Sequence, residues 1–376
     1  MEGVKIIEVG NSKHWNQFVN LPWKIYAKDP NWVPPLLFEF KRQLNPSKNP
    51  FFRDAKANYW IAMKNGESVG RIAAIINNRH NEHYSDKVGF FGYFECIDDH
   101  GVANELFNIA SDWLQTNGKQ SMRGPVNLST FYECGLLIEG FDSSPLVQMT
   151  YNPLYYIRLF DHVGFKKEID LLAFEITESI YNNEKVMQKL QRLNDVVVHK
   201  EHLTFRTFNS RDFSNEVERM RILFNDYMSE NWGFVPIDKE EFGFMAESLK
   251  QILIKDMAIF AEVDGQPVGF SIALPDINQV FKRLNGKLFP IGIFKYLYYK
   301  NKVSALRVIL MGVNKPYRKK GLEAVFYYHT IKEAQKRNFN RAELSWISEK
   351  NQPMIRALVN MNAELYKRYR IFEKEI

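Results

Sequence analysis

The chain carries one segment twice, and this restricts its architecture more than any bulk property. Residues 60–75 (WIAMKNGESVGRIAAI) and 259–274 (IFAEVDGQPVGFSIAL) align at a fixed offset, with Ala62, Gly66, Val69, Gly70 and Ala74 opposite Ala261, Gly265, Val268, Gly269 and Ala273. Five identities in sixteen positions, where unrelated segments give about one, mark a duplicated unit. Each copy reads as strand, two-residue turn, strand, because Asn65-Gly66 and Asp264-Gly265 are pairs favoured in tight hairpins. Asn11-Ser12 and Asn31-Trp32 recur as Asn209-Ser210 and Asn231-Trp232.

Downstream, each half continues as strand, glycine loop, helix and strand. In the first half these are 90–97, 98–103, 104–116 and 121–126; in the second, 306–313, 318–322, 323–337 and 341–347. The helices follow from apolar residues on one face: Leu106, Ile109, Ala110, Trp113 and Leu114 in the first, Val325, Tyr328, Ile331 and Ala334 in the second. Residues 183–194 read as a linking helix. The expected organisation is two tandem α/β domains, 1–185 and 186–376, each a mixed central sheet flanked by helices. A length of 376 residues suits two cores better than one.

Composition narrows the classes further. The chain is 45% hydrophobic and 25% charged, the mix of a packed globular protein. Its net charge of +6 favours anionic partners without naming one. Two cysteines, Cys96 and Cys134, are too few for a disulfide scaffold, and no Cys/His spacing suits a metal. With no apolar run of spanning or signal length, the expectation is a cytoplasmic protein, with peripheral contact to the inner membrane as its variant.

The glycine loops carry the chemistry. Arg318-Lys319-Lys320-Gly321-Leu322-Glu323 follows a strand and opens a helix, where backbone N–H groups and the helix dipole favour a phosphate. The first half has Asp98-Asp99-His100-Gly101-Val102-Ala103 there, placing negative charge where the second half is positive. Near the end of each half lies a second motif, 151–165 (YNPLYYIRLFDHVGF) and 351–363 (NQPMIRALVNMNA).

Loop and helix motifs together resemble the GNAT superfamily of coenzyme A-dependent N-acyltransferases, and the resemblance spans nearly the whole chain. It implies acyl-CoA, acetyl or longer, as co-substrate with no metal, and an amine as acceptor. It implies a coenzyme site at Met311, Gly312, Val313, Arg318, Lys319, Lys320, Gly321 and Leu322, with the first-half loop degenerate. The family's tyrosine acid has no counterpart, because Phe160 and Leu358 occupy its positions. Candidate catalytic residues are Glu343, Ser345 and Asn351; Glu343 reads equally well as part of a solvated strand face. Glu95, Asn127, Glu133 and Tyr151 are candidates for an acceptor cleft, although each reads more readily as structural. Within the superfamily, the run GPVNLSTFYECGLLIEGFD and the ending LYKRYRIFEK resemble a group of bacterial tandem proteins, some of them linked to N-acylation of long-chain amines. The alternative is a non-catalytic descendant that binds coenzyme A or a partner.

The second half also has an insertion, 276–304, that interleaves aromatics with lysines and arginines. It reads as a buried cover, or as contact with a lipid substrate or anionic membrane. Nucleic acid is the least favoured occupant.

Overall fold

The two repeated segments fold as the same hairpin. In the computed structural model, which describes residues 3–376, Asn65 and Gly66 have φ of 50° and 78°, and Asp264 and Gly265 of 50° and 74°. Positive φ at both central residues is what a type I′ turn requires, which explains the Asn-Gly and Asp-Gly pairs.

The chain divides into two units. Unit 1 holds the chain to Leu171 with Leu284–Lys287 and Lys367–Ile376; unit 2 holds Leu172–Arg283 and Leu288–Tyr366. Unit 1 runs β1 (Lys5–Glu8), α1 (Ser12–Ile25), α2 (Leu37–Gln43), β2 (Ala55–Lys64), β3 (Glu67–Asn77), α3 (Asn78–Tyr84), β4 (Val88–Cys96), α4 (His100–Thr116), β5 (Ser121–Gly124), β6 (Leu136–Glu139) and α5 (Tyr156–Val163), and reaches Leu171 within β7 (Lys166–Thr177). Unit 2 continues with α6 (Glu178–Tyr181), α7 (Glu184–Lys200), β8 (Thr204–Thr207), α8 (Phe213–Met228), α9 (Lys239–Leu249), β9 (Ala258–Val263), β10 (Gln266–Pro275), α10 (Asn278–Leu284), α11 (Gly292–Tyr299), β11 (Ala305–Val313), α12 (Leu322–Lys336), β12 (Arg341–Ser348), α13 (Gln352–Val359) and β13 (Glu364–Glu375). From Lys367 onward β13 belongs to unit 1.

Each unit has a mixed sheet. In unit 1 the order is β1-β2-β3-β4-β5, followed by the end of β13, against which β6 also pairs. In unit 2 it is β8-β9-β10-β11-β12. Within these runs β4–β5 and β11–β12 are parallel and the other pairs antiparallel. Two of the repeated glycines have a packing reason. A Cβ on Gly70 would lie 2.6 Å from Leu106 of α4, and one on Gly269 would lie 3.2 Å from the ring of Phe326 of α12. Only a bare backbone lets the helix lie that close to the hairpin.

The central strands share an irregularity that the sequence pattern does not announce. β4 pairs with β3 through Gly70↔Cys96 and Arg71↔Glu95, then resumes at Ala73↔Gly92, so one extra residue bulges at Tyr93–Phe94. β11 pairs with β10 through Gly269↔Val313, then skips between Ile272↔Leu310 and Ala273↔Val308, bulging at Ile309. Cys96 and Val313 are thereby equivalent, as are Glu95 and Gly312. Bulges at such points re-aim a strand beside a functional site.

Helix limits differ slightly from expectation. α4 starts at His100, not Asn104, because Asp99 caps it. The linking helix α7 extends beyond Asn194 to Lys200, burying Leu190 and Val197. The insertion folds as α10 and α11.

Candidate functional site

In unit 2, β11 and β12 pair only from Ala305↔Arg341 to Val308↔Leu344, whereas β11 stays paired with β10 as far as Val313. Beyond Val308 one edge of β11 therefore has no strand partner. Backbone groups alternate sides along a strand. The Asn314 N–H donates to the Val268 carbonyl on the β10 side at 2.9 Å, so Val313 and Met311 present theirs to the open edge. The Val313 carbonyl does accept from Arg318 Nε at 3.1 Å on that edge. Gly312, between them, packs under α8: a Cβ there would lie 2.8 Å from the ring of Tyr227. Burial first, and then the Glu323 carboxylate, raise the Tyr227 hydroxyl above its ordinary pKa.

The phosphate-loop sequence extends this edge. Eight residues, 314–321, separate β11 from α12. Lys319 and Gly321 adopt left-handed backbone, at φ 61° and 93°. Gly321 is the N-cap of α12 and supplies no side-chain cap, so Leu322 opens the helix with its first amides unclaimed by a side chain. Helix N-termini of this kind attract anions. Arg318 does not project into solvent. Beyond Val313, it donates to Glu230 at 3.1 Å and to the carbonyls of Asp226 and Tyr227 at 3.1 and 3.3 Å, tying the loop to α8. Lys320 pairs with Glu201 at 2.7 Å. Lys319 is exposed and takes part in neither pair.

Unit 1 has the same topology with the cradle closed. Only three residues, 97–99, separate β4 from α4. The Ile97 N–H donates to the Val69 carbonyl at 3.0 Å, as Asn314 does to Val268, so five residues are missing between equivalent points. Asp99 Oδ1 accepts from the amides of Gly101 and Val102 at 2.9 and 3.2 Å, and Oδ2 takes Lys64 Nζ at 2.7 Å. The Lys64 hydrogen bond holds this carboxyl below the usual range. A side-chain anion thus occupies the helix N-terminus. The open edge is filled as well: the Cys96 N–H donates to the Tyr156 hydroxyl at 2.8 Å, and Tyr155 donates to the Cys96 carbonyl at 2.6 Å. Asp98, aligned with Arg318 on sequence, instead pairs at the surface with Arg158 at 2.9 Å.

Of the candidate catalytic residues, Glu343 and Ser345 come together in a buried cluster. Glu343 is fully buried, which removes the solvated-face reading. Ser345 Oγ donates to Glu343 Oε1 at 2.5 Å, and the Tyr366 hydroxyl donates to Glu343 Oε2. Arg307 Nε donates to Ser345 Oγ at 2.8 Å and Nη2 to the Ser345 carbonyl at 3.1 Å. The cluster sits where β11 and β12 part. Asn351 lies apart from it and caps α13, its Oδ1 accepting from the Met354 amide at 3.3 Å. Phe160 and Leu358 are fully buried core residues.

Glu95, Asn127, Glu133 and Tyr151 all fall in unit 1. Glu95 accepts from Tyr26 and Tyr156 at 2.9 and 2.8 Å and lies 3.5 Å from Arg71; burial raises its carboxyl despite the arginine. Asn127 Oδ1 accepts from the Tyr93 N–H at 2.8 Å, holding that residue at φ 51°. Tyr151 donates to Asp29, at 3.0 Å to the nearer oxygen. Glu133 is exposed, and its carbonyl accepts from the Asn127 amide at 2.9 Å. Arg307 and Tyr366 were missed from sequence. A lone arginine within the apolar run ALRVILMGV was the available signal for the first; for Tyr366 there was none. Among the described residues no cluster of His, Cys, Asp and Glu is arranged to hold a metal ion.

No family model matches the chain. It is 37% identical over 373 residues to Protein YghO of Escherichia coli K12, covering 97% of this chain and 94% of that protein. It is 34% identical over 381 residues to a bacterial ceramide synthase of Caulobacter vibrioides, covering 99% and 98%. Among solved structures, a tandem GNAT protein from the clavulanic acid biosynthesis pathway superposes with a TM-score of 0.57 at 10% identity, over 99% of this chain and 98% of that one. A GCN5-related N-acetyltransferase from Sphaerobacter thermophilus gives 0.51 at 13% identity, over 98% and 95%. The latter two, at 10% and 13% identity, bear on fold alone. The chain belongs to the same family as YghO and the Caulobacter ceramide synthase, and its fold is that of a tandem GNAT protein.

Proposed function

We propose that this protein is an N-acyltransferase that takes an acyl group from coenzyme A in unit 2 and delivers it to the amine of a hydrophobic, long-chain acceptor. The observation that carries the first half is the contrast between the units: Gly321 leaves the α12 N-terminus without a side-chain cap, whereas Asp99 fills that of α4. The name of the Caulobacter relative supports the acceptor, since a ceramide is the amide of a long-chain amino alcohol.

In this reading the amides of Leu322 and Glu323, with Lys319, receive the pyrophosphate, and Arg318 keeps the loop in place. The open edge at Met311 and Val313 receives the pantetheine and offers amide donors to the developing oxyanion. The amine nitrogen attacks the thioester carbonyl, the carbon–sulfur bond breaks, and the amine's proton ends on the thiolate. An aliphatic amine with a pKa of about 10.4 must first lose a proton. Glu343 is too buried to meet it, so the half-buried Tyr366 relays that proton to the Glu343 carboxylate it already bonds.

Thiol release measured across acyl-CoA donors from acetyl to palmitoyl, against short- and long-chain amines, tests this. Turnover with a long-chain amino alcohol supports the reading. Coenzyme A binding without turnover on any amine would assign the chain to a non-catalytic branch of the fold.

A further inference from the structure

The insertion of unit 2 does not hide its aromatic residues. Phe289 is 72% exposed, Ile291 69%, Phe294 71%, Leu297 50% and Tyr298 61%. Helix α11 brings Ile291, Phe294 and Tyr298 onto one side through their i, i+3, i+7 spacing, and turns Ile293, Tyr296 and Tyr299 partly inward. Five large apolar side chains exposed within ten residues form a patch of the kind that marks an interaction site. The segment that carries it has charges of one sign: residues 277–304 contain six lysines and arginines and no aspartate or glutamate. Arg283 and Lys302 stack on Tyr299 and Tyr298, at 4.3 and 3.7 Å from the ring centroids, keeping the cations beside the apolar face.

We propose that this face docks on an anionic lipid bilayer. Exposed apolar side chains in a segment whose charges are all cationic match the boundary where acyl chains meet negative headgroups. A second copy of the chain fits poorly, because a two-fold contact would set six cations against six. Nucleic acid would use the cations, but Ile291 and Leu297 offer neither bases nor phosphates anything. Among the described residues no helix is long and apolar enough to cross a membrane, so attachment of this kind is peripheral. The docking rests on exposure and charge and does not require the acyltransferase reading. If both hold, it brings the site to the surface where long-chain amines reside.

Flotation of the full chain with vesicles of phosphatidylcholine, with and without phosphatidylglycerol, tests the proposal with no acyl donor present. The chain should float with the anionic vesicles at least about tenfold more tightly than with the neutral ones, and less so at high salt. The Phe294→Ser/Leu297→Ser double variant should lose that binding with its melting temperature unchanged, and Lys295→Glu/Lys302→Glu should lose the anionic preference. A wild type that stays unbound with both vesicles, or a double variant that floats like it, overturns the proposal. A dimer that Phe294→Ser dissociates would give the face to a second copy instead. Because turnover of a short, soluble amine is assayed separately, loss of activity and loss of docking remain distinguishable.

Discussion

Arg307 and Glu343 are register partners on the last rung but one before β11 and β12 separate, with Arg307 Nε 3.5 Å from Glu343 Oε1. Both are buried, and the pair is completed by Ser345 and Tyr366. Charges removed from water survive only where such partners satisfy them. The open edge therefore begins at a point anchored by charge.

Removing one member should be costly. Glu343→Ala removes a carboxylate from beside the buried Arg307 guanidinium and should destabilise the chain by about 3–5 kcal/mol. Ser345→Ala, which removes only the hydroxyl between them, should cost about 1–3 kcal/mol. Urea unfolding at neutral pH measures both, and equal small losses would mean that the cluster is solvated.

Tyr366→Phe separates the proton relay from packing, since the ring remains. Its kcat should fall about a hundredfold with KM little changed, the size of a lost general acid–base contribution. The pH profile of kcat should change with it. An unchanged kcat would take Tyr366 out of the relay.

Asp99 gives a prediction with a definite pH sign. Its folded-state pKa lies below the ordinary 3.8, chiefly through Lys64, so its stabilising effect is present above that value and is lost as pH falls through and below it. Asp99→Ala should cost about 1 kcal/mol at pH 7, as for a lost N-cap. The gap between wild type and variant should narrow as the pH is lowered past the carboxyl's ordinary value, whereas Asp99→Asn, which keeps a cap acceptor, should lose less at neutral pH. Melting curves across pH check the trend.

The repeat was legible because turn chemistry is local: Asn65-Gly66 and Asp264-Gly265 specify one turn whatever surrounds them. The loops were harder to read. Aligning Gly101 with Gly321 hid the five-residue difference, which appears only when the Ile97 and Asn314 amides are seen to make the same bond. That Asp99 would cap α4 was readable from its residue type and position. Strand alternation puts Glu343 and Ser345 on one side of β12, but their burial depends on Arg307 and on Tyr366 from another strand, which no local pattern reveals. The bulges at Tyr93–Phe94 and Ile309 lie in plain apolar runs, where one extra residue leaves no signature. The insertion's composition was legible, and whether its aromatics faced inward was not.

On the proposed function, coenzyme A binds unit 2 and not unit 1. Calorimetric titration of coenzyme A into wild type, Arg318→Glu and Gly101→Asp tests it most directly. Arg318→Glu both reverses a charge and releases four hydrogen bonds that fix the loop, and the account predicts at least about a tenfold loss of affinity, or 1.4 kcal/mol. Gly101→Asp should bind like wild type, because the amide it would affect already serves Asp99. Loss of binding in Gly101→Asp with Arg318→Glu unaffected would contradict the claim and move the coenzyme to unit 1.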